Sequence, residues 1–469
     1  MHKTLLVLLL FIVSTISIAQ DKEDEKKDDK KKKEKTYSEI IDDSYKTDEG
    51  LFKVHSKKDK FLYEISTDLL GKEMLMVTRI AKTANGIGYG GQKINSQVLR
   101  WQKKHDKILL RIVSYENVAS DTLPISKSVK NSNFEPVLYS FDIKTYNPSD
   151  SSVVIDVAPL FKTDVKALGF PQYRRKSLKI TSLDKKRSFI ESIKSFPINI
   201  EARSVMTYNS SEPPSLRNSQ TISLEINNSM LLLPENKMQP RLRDQRVGFF
   251  SQSQTDYGLD EQKAKSTTYI RRWKLVPKDI EAYNRGELVE PIKPIIYYID
   301  PSTPKKWRKY LKQGVDDWQV AFEAAGFKNA IIGKYPPTEK EDPDWTPEDA
   351  RYSVMRYYAS DIQNAYGPHT ADPRTGEILE SDIGWYHNVM NLLRNWYMIQ
   401  TAAVNETSRD VKFDDEVMGQ LIRFVSAHEV GHTIGLQHNM GSSSAYPVDS
   451  LRSPFFTSSH GVAPSIMDY

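Results

Sequence analysis

Four side chains stand at a spacing that suits one metal ion. They fall in the run Ser426-Ala427-His428-Glu429-Val430-Gly431-His432-Thr433-Ile434-Gly435-Leu436-Gln437-His438, which reads H-E-x-x-H-x-x-G-x-x-H. On a helix, two His four residues apart share a face and lie about 6 Å apart along the axis. Both imidazoles then reach one zinc at about 2.0–2.1 Å. Glu429 projects about 100° around the helix from His428. It faces the open side of the ion without ligating it, as a general base acting on a metal-activated water must. A continuing helix would carry His438 about 15 Å beyond His428. The helix must therefore stop, and Gly435 is where the chain turns back, since Gly enters the left-handed region without a Cβ penalty. The expected ligands are His428, His432 and His438, with Glu429 as base.

With a Met-turn downstream, this signature is that of the metzincin zinc endopeptidases. Ser465-Ile466-Met467-Asp468-Tyr469 is similar to the astacin and serralysin form of that turn. The resemblance implies that Met467 forms an apolar floor under the metal. It implies that Tyr469 ligates zinc or hydrogen-bonds the tetrahedral intermediate. A gluzincin scheme needs a Glu well downstream as third ligand, and no Glu follows Glu429.

Positioning such a site takes a sheet and two helices. Pro294–Asp300 reads as a strand, and a helix is expected from Thr303 with Pro304 at its first position. Its apolar stripe runs through Tyr310, Gly314, Val315, Trp318, Phe322 and Ala325 and stops at Gly326. Ala330–Gly333 and Tyr352–Tyr358 read as further strands. A Gly/Pro-rich turn at 367–376 leads into Glu377, Ile378, Leu379, Glu380, Ser381, Asp382, Ile383, Gly384 and Trp385. By resemblance to metzincins this is the edge strand above the cleft, to which a peptide adds as an antiparallel strand. Asn391–Ala403 reads as a helix, and Asp414 or Asp415 caps the metal-binding helix. After His438 the chain reads as loop. His369, His387, His460, His55 and His105 are expected in structural or surface roles.

The 469 residues, 39% hydrophobic and 27% charged, suffice for two or three globular domains. The expected class is multidomain: a β-rich N-terminal region, then an α+β metzincin-like zinc-peptidase domain with a twisted mixed sheet, an active-site helix and a Met-turn. Expected boundaries are a signal peptide at 1–20, a charged tether at 21–36, a small domain at 37–90, a β-rich domain at 91–285 and the peptidase domain at 290–469. By resemblance to large secreted bacterial zinc metalloproteases, that last domain is expected to be truncated at its C-terminus. The break at 83–91 rests on four Gly between Gly86 and Gly91.

Net charge is +5, with 66 basic and 61 acidic residues, which gives no case for nucleic acid. Residues 1–20 carry Lys3, a short apolar core at Leu5–Val13 and the small-x-small site Ser17-Ile18-Ala19, as an export signal does. No later run is apolar enough to span a bilayer. The chain has no cysteine, which excludes disulfides, thiol catalysis and a cysteine switch. The expectation is an exported bacterial protein, periplasmic or extracellular. It would be an endopeptidase with one catalytic zinc and protein or peptide substrates. Structural calcium has no support in the sequence. The alternatives are a zinc hydrolase of a non-peptide amide or ester, and a binding protein with a structural or vestigial zinc site.

Overall fold

The computed structural model describes residues 35–468 apart from Leu216 and Gln262. The expected signal peptide, nearly all of the charged tether and Tyr469 lie outside the described residues.

The β-rich region is built on one antiparallel sheet. Among the described residues it has 12 strands. Their order is Lys46–Asp48, Lys53–Lys57, Lys60–Ile65, Val153–Asp156, Val137–Tyr146, Lys107–Val113, Lys93–Lys104, Glu73–Lys82, Thr221–Leu232, Asn199–Ser210 and Ile180–Leu183, with Phe189–Ser195 also pairing on Asn199–Ser210. The sheet curls until its ends meet. Leu51 N–H donates to Phe196 O at 2.7 Å, and Ser195 Oγ donates to Phe52 O at 2.7 Å. Curling encloses Phe52, Tyr63 and Trp101, whose rings meet edge to face at 5.5–6.3 Å, the arrangement the ring quadrupole favours.

Strands from both sides of the expected break at 83–91 lie in this one sheet. Glu73–Lys82 pairs with Lys93–Lys104 on one side and with Thr221–Leu232 on the other. The Gly-rich stretch is the connection of a hairpin, where Gly86, Gly88 and Gly91 take φ of +79°, +146° and +82°. A separate hairpin, Ser251–Asp256 with Lys265–Ile270, extends toward the C-terminal half. There Gln252 and Gln254 side-chain amides donate to Pro373 O at 2.7 and 2.8 Å.

The C-terminal half contains a five-stranded mixed sheet. Ile331–Lys334, Ile295–Ile299, Ser353–Tyr358 and Asp382–Tyr386 run parallel in that order, and Ala365–Tyr366 joins Asp382–Tyr386 antiparallel as the last strand. Ile295, Tyr297 and Ile299 are buried in the core that this sheet shares with the helices. The expected helix from Thr303 is two, Lys305–Asp316 and Gln319–Ala324, and Gly326 ends the second at φ +90°. The helix Asp415–Thr433 packs across Lys305–Asp316, and Val389–Thr401 lies beside it. No helix among the described residues is long and apolar enough to cross a membrane.

Two local expectations are overturned. Glu377–Trp385 is not one edge strand. It breaks at Ser381, whose N–H donates sideways to Ser353 Oγ at 3.0 Å. Ile378–Glu380 then pairs with Thr370–Ala371 in a separate ribbon, while Asp382–Tyr386 lies inside the main sheet. The edge position belongs to Ala365–Tyr366. After His438 the chain is not plain loop: a 3₁₀ turn at Met440–Ala445 and helices Val448–Leu451 and Pro454–His460 follow.

Candidate metal centre

The helix Asp415–Thr433 starts at Asp414, whose carboxylate accepts from Glu416 N–H at 2.8 Å. It stops where Gly435 takes φ +110°. Gly435 N–H reaches His432 O at 3.1 Å and Leu436 N–H reaches Gly431 O at 3.0 Å. This crossed pair of bonds closes the helix in a Schellman turn. A Cβ on Gly435 would run into Arg271 O, so a side chain is excluded by space as well as by φ.

The turn brings His438 back to the helix. The ring centroids of His428, His432 and His438 lie 4.8, 5.2 and 4.7 Å apart pairwise. One ligand atom from each falls within 4.8 Å of the others, and among the described residues no other group of His, Asp or Glu could share an ion this way. The Nε2 atoms of His432 and His438 are 3.1 Å apart. Two nitrogens on one tetrahedral zinc stand about 3.3–3.4 Å apart, so the pair is close to ligating geometry.

The tautomers fit as well. His428 Nδ1 lies 2.8 Å from Ile466 O and His432 Nδ1 lies 2.8 Å from Leu436 O. A carbonyl only accepts, so each Nδ1 carries the proton and each Nε2 presents its lone pair. Burial lowers both imidazoles below their ordinary pKa, His428 to about 4, and a neutral ring is the form that binds a metal.

Glu429 is buried on the same wall. Burial pushes its pKa up to about 7, against a hydrogen bond from the Gly367 main chain that stabilises the ionised form. Gly367 follows the edge strand, and a Cβ there would strike Glu429 O; glycine is what lets the strand lie against the helix. The cleft in front of the triad encloses about 680 Å³. Its walls include Ala365, Tyr366 and Gly367 on one side and the apolar Leu392, Trp396 and Phe424 on another.

Met467 is buried against the helix, with its sulfur where a side chain on Gly431 would stand. Its carbonyl accepts from Asn439 N–H at 2.9 Å, which ties the segment after His438 to the pentapeptide. Trp318 Nε1 and Trp273 Nε1 brace the helix by donating to Ala427 O at 2.8 Å and Thr433 O at 3.0 Å.

The other histidines are not brought into the triad, although His369 lies beside His432. His387 meets Tyr357 OH at 2.8 Å, His460 stacks on Phe456, and His55 is buried against Glu64 at 3.0 Å. His369 is lowered to about 4, chiefly by burial, and packs on Phe250 with ring centroids 5.4 Å apart.

Two contributors carry no readable signal in the sequence. Gly367 is visible there only as part of a Gly-Pro turn. Phe250, in the β-rich region, lines the cleft and packs on His432 at 5.8 Å between centroids. It has no local signal, because its partner lies 182 positions away in the chain.

Residues 410–469 match a protein-family model described as Met-zincin. Residues 91–278 and 34–83 match two families described as domains of unknown function, DUF5117 and DUF5118. No curated protein and no solved structure matches the chain. With the His triad, the first match marks a metzincin-like zinc-peptidase region at the C-terminal end, behind a β-rich N-terminal region.

Proposed function

We propose that the chain is a zinc-dependent endopeptidase. His428, His432 and His438 hold the ion, and Glu429 is the general base. The observation that carries this reading is the convergence of three imidazoles, two locked by main-chain carbonyls, beside a buried carboxylate facing the same cleft. Zinc held there supplies a Lewis acid that polarises the scissile carbonyl and acidifies water. Glu429 takes the proton of the attacking water and delivers it to the leaving amine nitrogen. Gly367 N–H holds the carboxylate in place for both transfers.

The outer side of Ala365–Tyr366 has no strand partner among the described residues, and both residues line the cleft. A substrate chain is expected to add there by main-chain hydrogen bonds, with an apolar side chain against Leu392, Trp396 and Phe424. Met467 is assigned as the floor of the centre. Tyr469, by its place in Ser-x-Met-x-Tyr, is assigned to hydrogen-bond the tetrahedral intermediate. A purely structural zinc site usually has four protein ligands and needs no base, so the buried Glu429 supports the catalytic reading.

Zinc affinity and peptide turnover of Glu429→Gln test this assignment. The variant should keep zinc within a few-fold of wild type and lose about 10²–10⁴ in kcat. Wild-type turnover with zinc bound would remove Glu429 from the chemistry.

A further inference from the structure

The segment Gly248–Phe250 belongs to the β-rich region, yet it pairs with the turn that delivers the third ligand. Phe249 and Leu436 form an antiparallel bridge. Phe250 N–H donates to Gly435 O at 2.7 Å, and Gln437 N–H donates to Gly248 O at 2.9 Å. The strap is itself anchored from behind, since Arg271 N–H donates to Phe250 O at 2.8 Å. Arg271 O fills the space a Cβ on Gly435 would need, and the ring of Phe250 backs His432.

We infer that Gly248–Phe250 is a positioning strap for the metal centre, so the β-rich region is an integral part of the catalytic unit and not a removable prosegment. A Schellman turn fixes the chain only as far as Leu436. His438 lies two residues further on and is exposed, and main-chain bonds bracket it: Gln437 N–H to Gly248 O before it and Asn439 N–H to Met467 O after it. The bonds to Gly435 and Gln437 extend the fixed geometry to the residue before the ligand. Without them the third imidazole samples a wider volume, and zinc must order it on binding.

The inference rests on the zinc reading above, and the test separates the two. Zinc affinity is measured by chelator competition on the full chain, for wild type, Phe250→Pro and Phe250→Leu. The cobalt(II)-loaded forms are compared by visible absorption. Proline removes the N–H that holds Gly435 O; leucine keeps it. Phe250→Pro should lose about 10- to 100-fold in zinc affinity and shift the cobalt bands, and Phe250→Leu, which keeps the N–H and loses only the ring behind His432, should lose distinctly less. Wild-type affinity and spectrum in a folded Phe250→Pro would overturn the strap. No zinc on wild type would overturn the metal reading instead.

Hydrogen exchange on the wild-type chain decides the matter should the proline variant not fold. Coupling is reciprocal, so removing zinc should raise exchange in peptides covering 247–251 together with 434–438. Any pattern in which 247–251 does not respond overturns the strap.

Discussion

Glu429 and Glu201 are both buried carboxylates pushed up to about 7, and they differ in what surrounds them. Glu429 faces a cleft, where an acid near neutral pH serves proton transfer. Glu201 is buried on the wall of a smaller pocket that Arg79, Arg356 and Glu380 also line, away from the metal centre. Asn199 and Asn227 side-chain amides donate to it at 2.7 and 2.6 Å, and the nearby Glu380 adds repulsion. Burial dominates, so the folded state favours the protonated form. Because the folded pKa lies above that of the unfolded chain, stability is fully present below about pH 4.5 and falls as pH rises through about 7. The loss amounts to about 3 kcal/mol. Glu201→Gln removes this dependence. Denaturant melts at pH 5 and pH 8 should show wild type losing markedly more stability than Glu201→Gln. Parallel losses would contradict the assignment. The two acids were not equally legible: Glu429 announces itself between two ligands four residues apart. Glu201 takes its partners partly from the neighbouring strand Thr221–Leu232, which no local pattern reveals.

Among the elements, the crossing of Lys305–Asp316 with Asp415–Thr433 sets the platform for the ligands. Close approach rests on one glycine from each helix. A Cβ on Gly314 would press on Ser426, and one on Gly419 would strike the Tyr310 ring. Ser426 Oγ donates to Leu311 O at 2.8 Å, and Tyr310 OH donates to Glu416 at 2.6 Å. Gly314→Ala should therefore destabilise the protein by about 1–3 kcal/mol through overpacking, despite the better helix propensity of Ala. A melt at or above the wild-type stability would show that the helices can part. Periodicity disclosed the apolar stripe of this first helix but not its break before Gln319, because Trp318 and Phe322 keep the helical spacing across it. The edge strand was misplaced because resemblance, not periodicity, assigned it: Glu380-Ser381-Asp382 interrupts any apolar alternation, and the sideways hydrogen bond of Ser381 has no local pattern. A two-residue strand such as Ala365–Tyr366 is too short to carry a period at all.

Across the whole molecule, the metal-binding region and the β-rich region share a charged, hydrogen-bonded boundary. Arg79 pairs with Glu380 at 2.5 Å, Arg203 with Glu348 at 2.7 Å, and Asn199 Nδ2 donates to Glu348 O at 3.1 Å. Each pair joins residues more than 140 positions apart. Such contacts leave no trace in a single sequence, which is why the role of the β-rich region was not legible there. The zinc motif was legible because its parts sit within eleven residues of one another and each obeys a helix or turn rule.

Peptide-bond cleavage at this centre is open to direct measurement. The direct measurement incubates the zinc-loaded wild-type chain and zinc-loaded Glu429→Gln with a diverse peptide pool and reads new termini by mass spectrometry. New termini should appear with wild type only, with apolar residues enriched at one subsite beside the cut. A wild-type chain that binds one zinc and yields the same termini as Glu429→Gln would contradict cleavage by this centre.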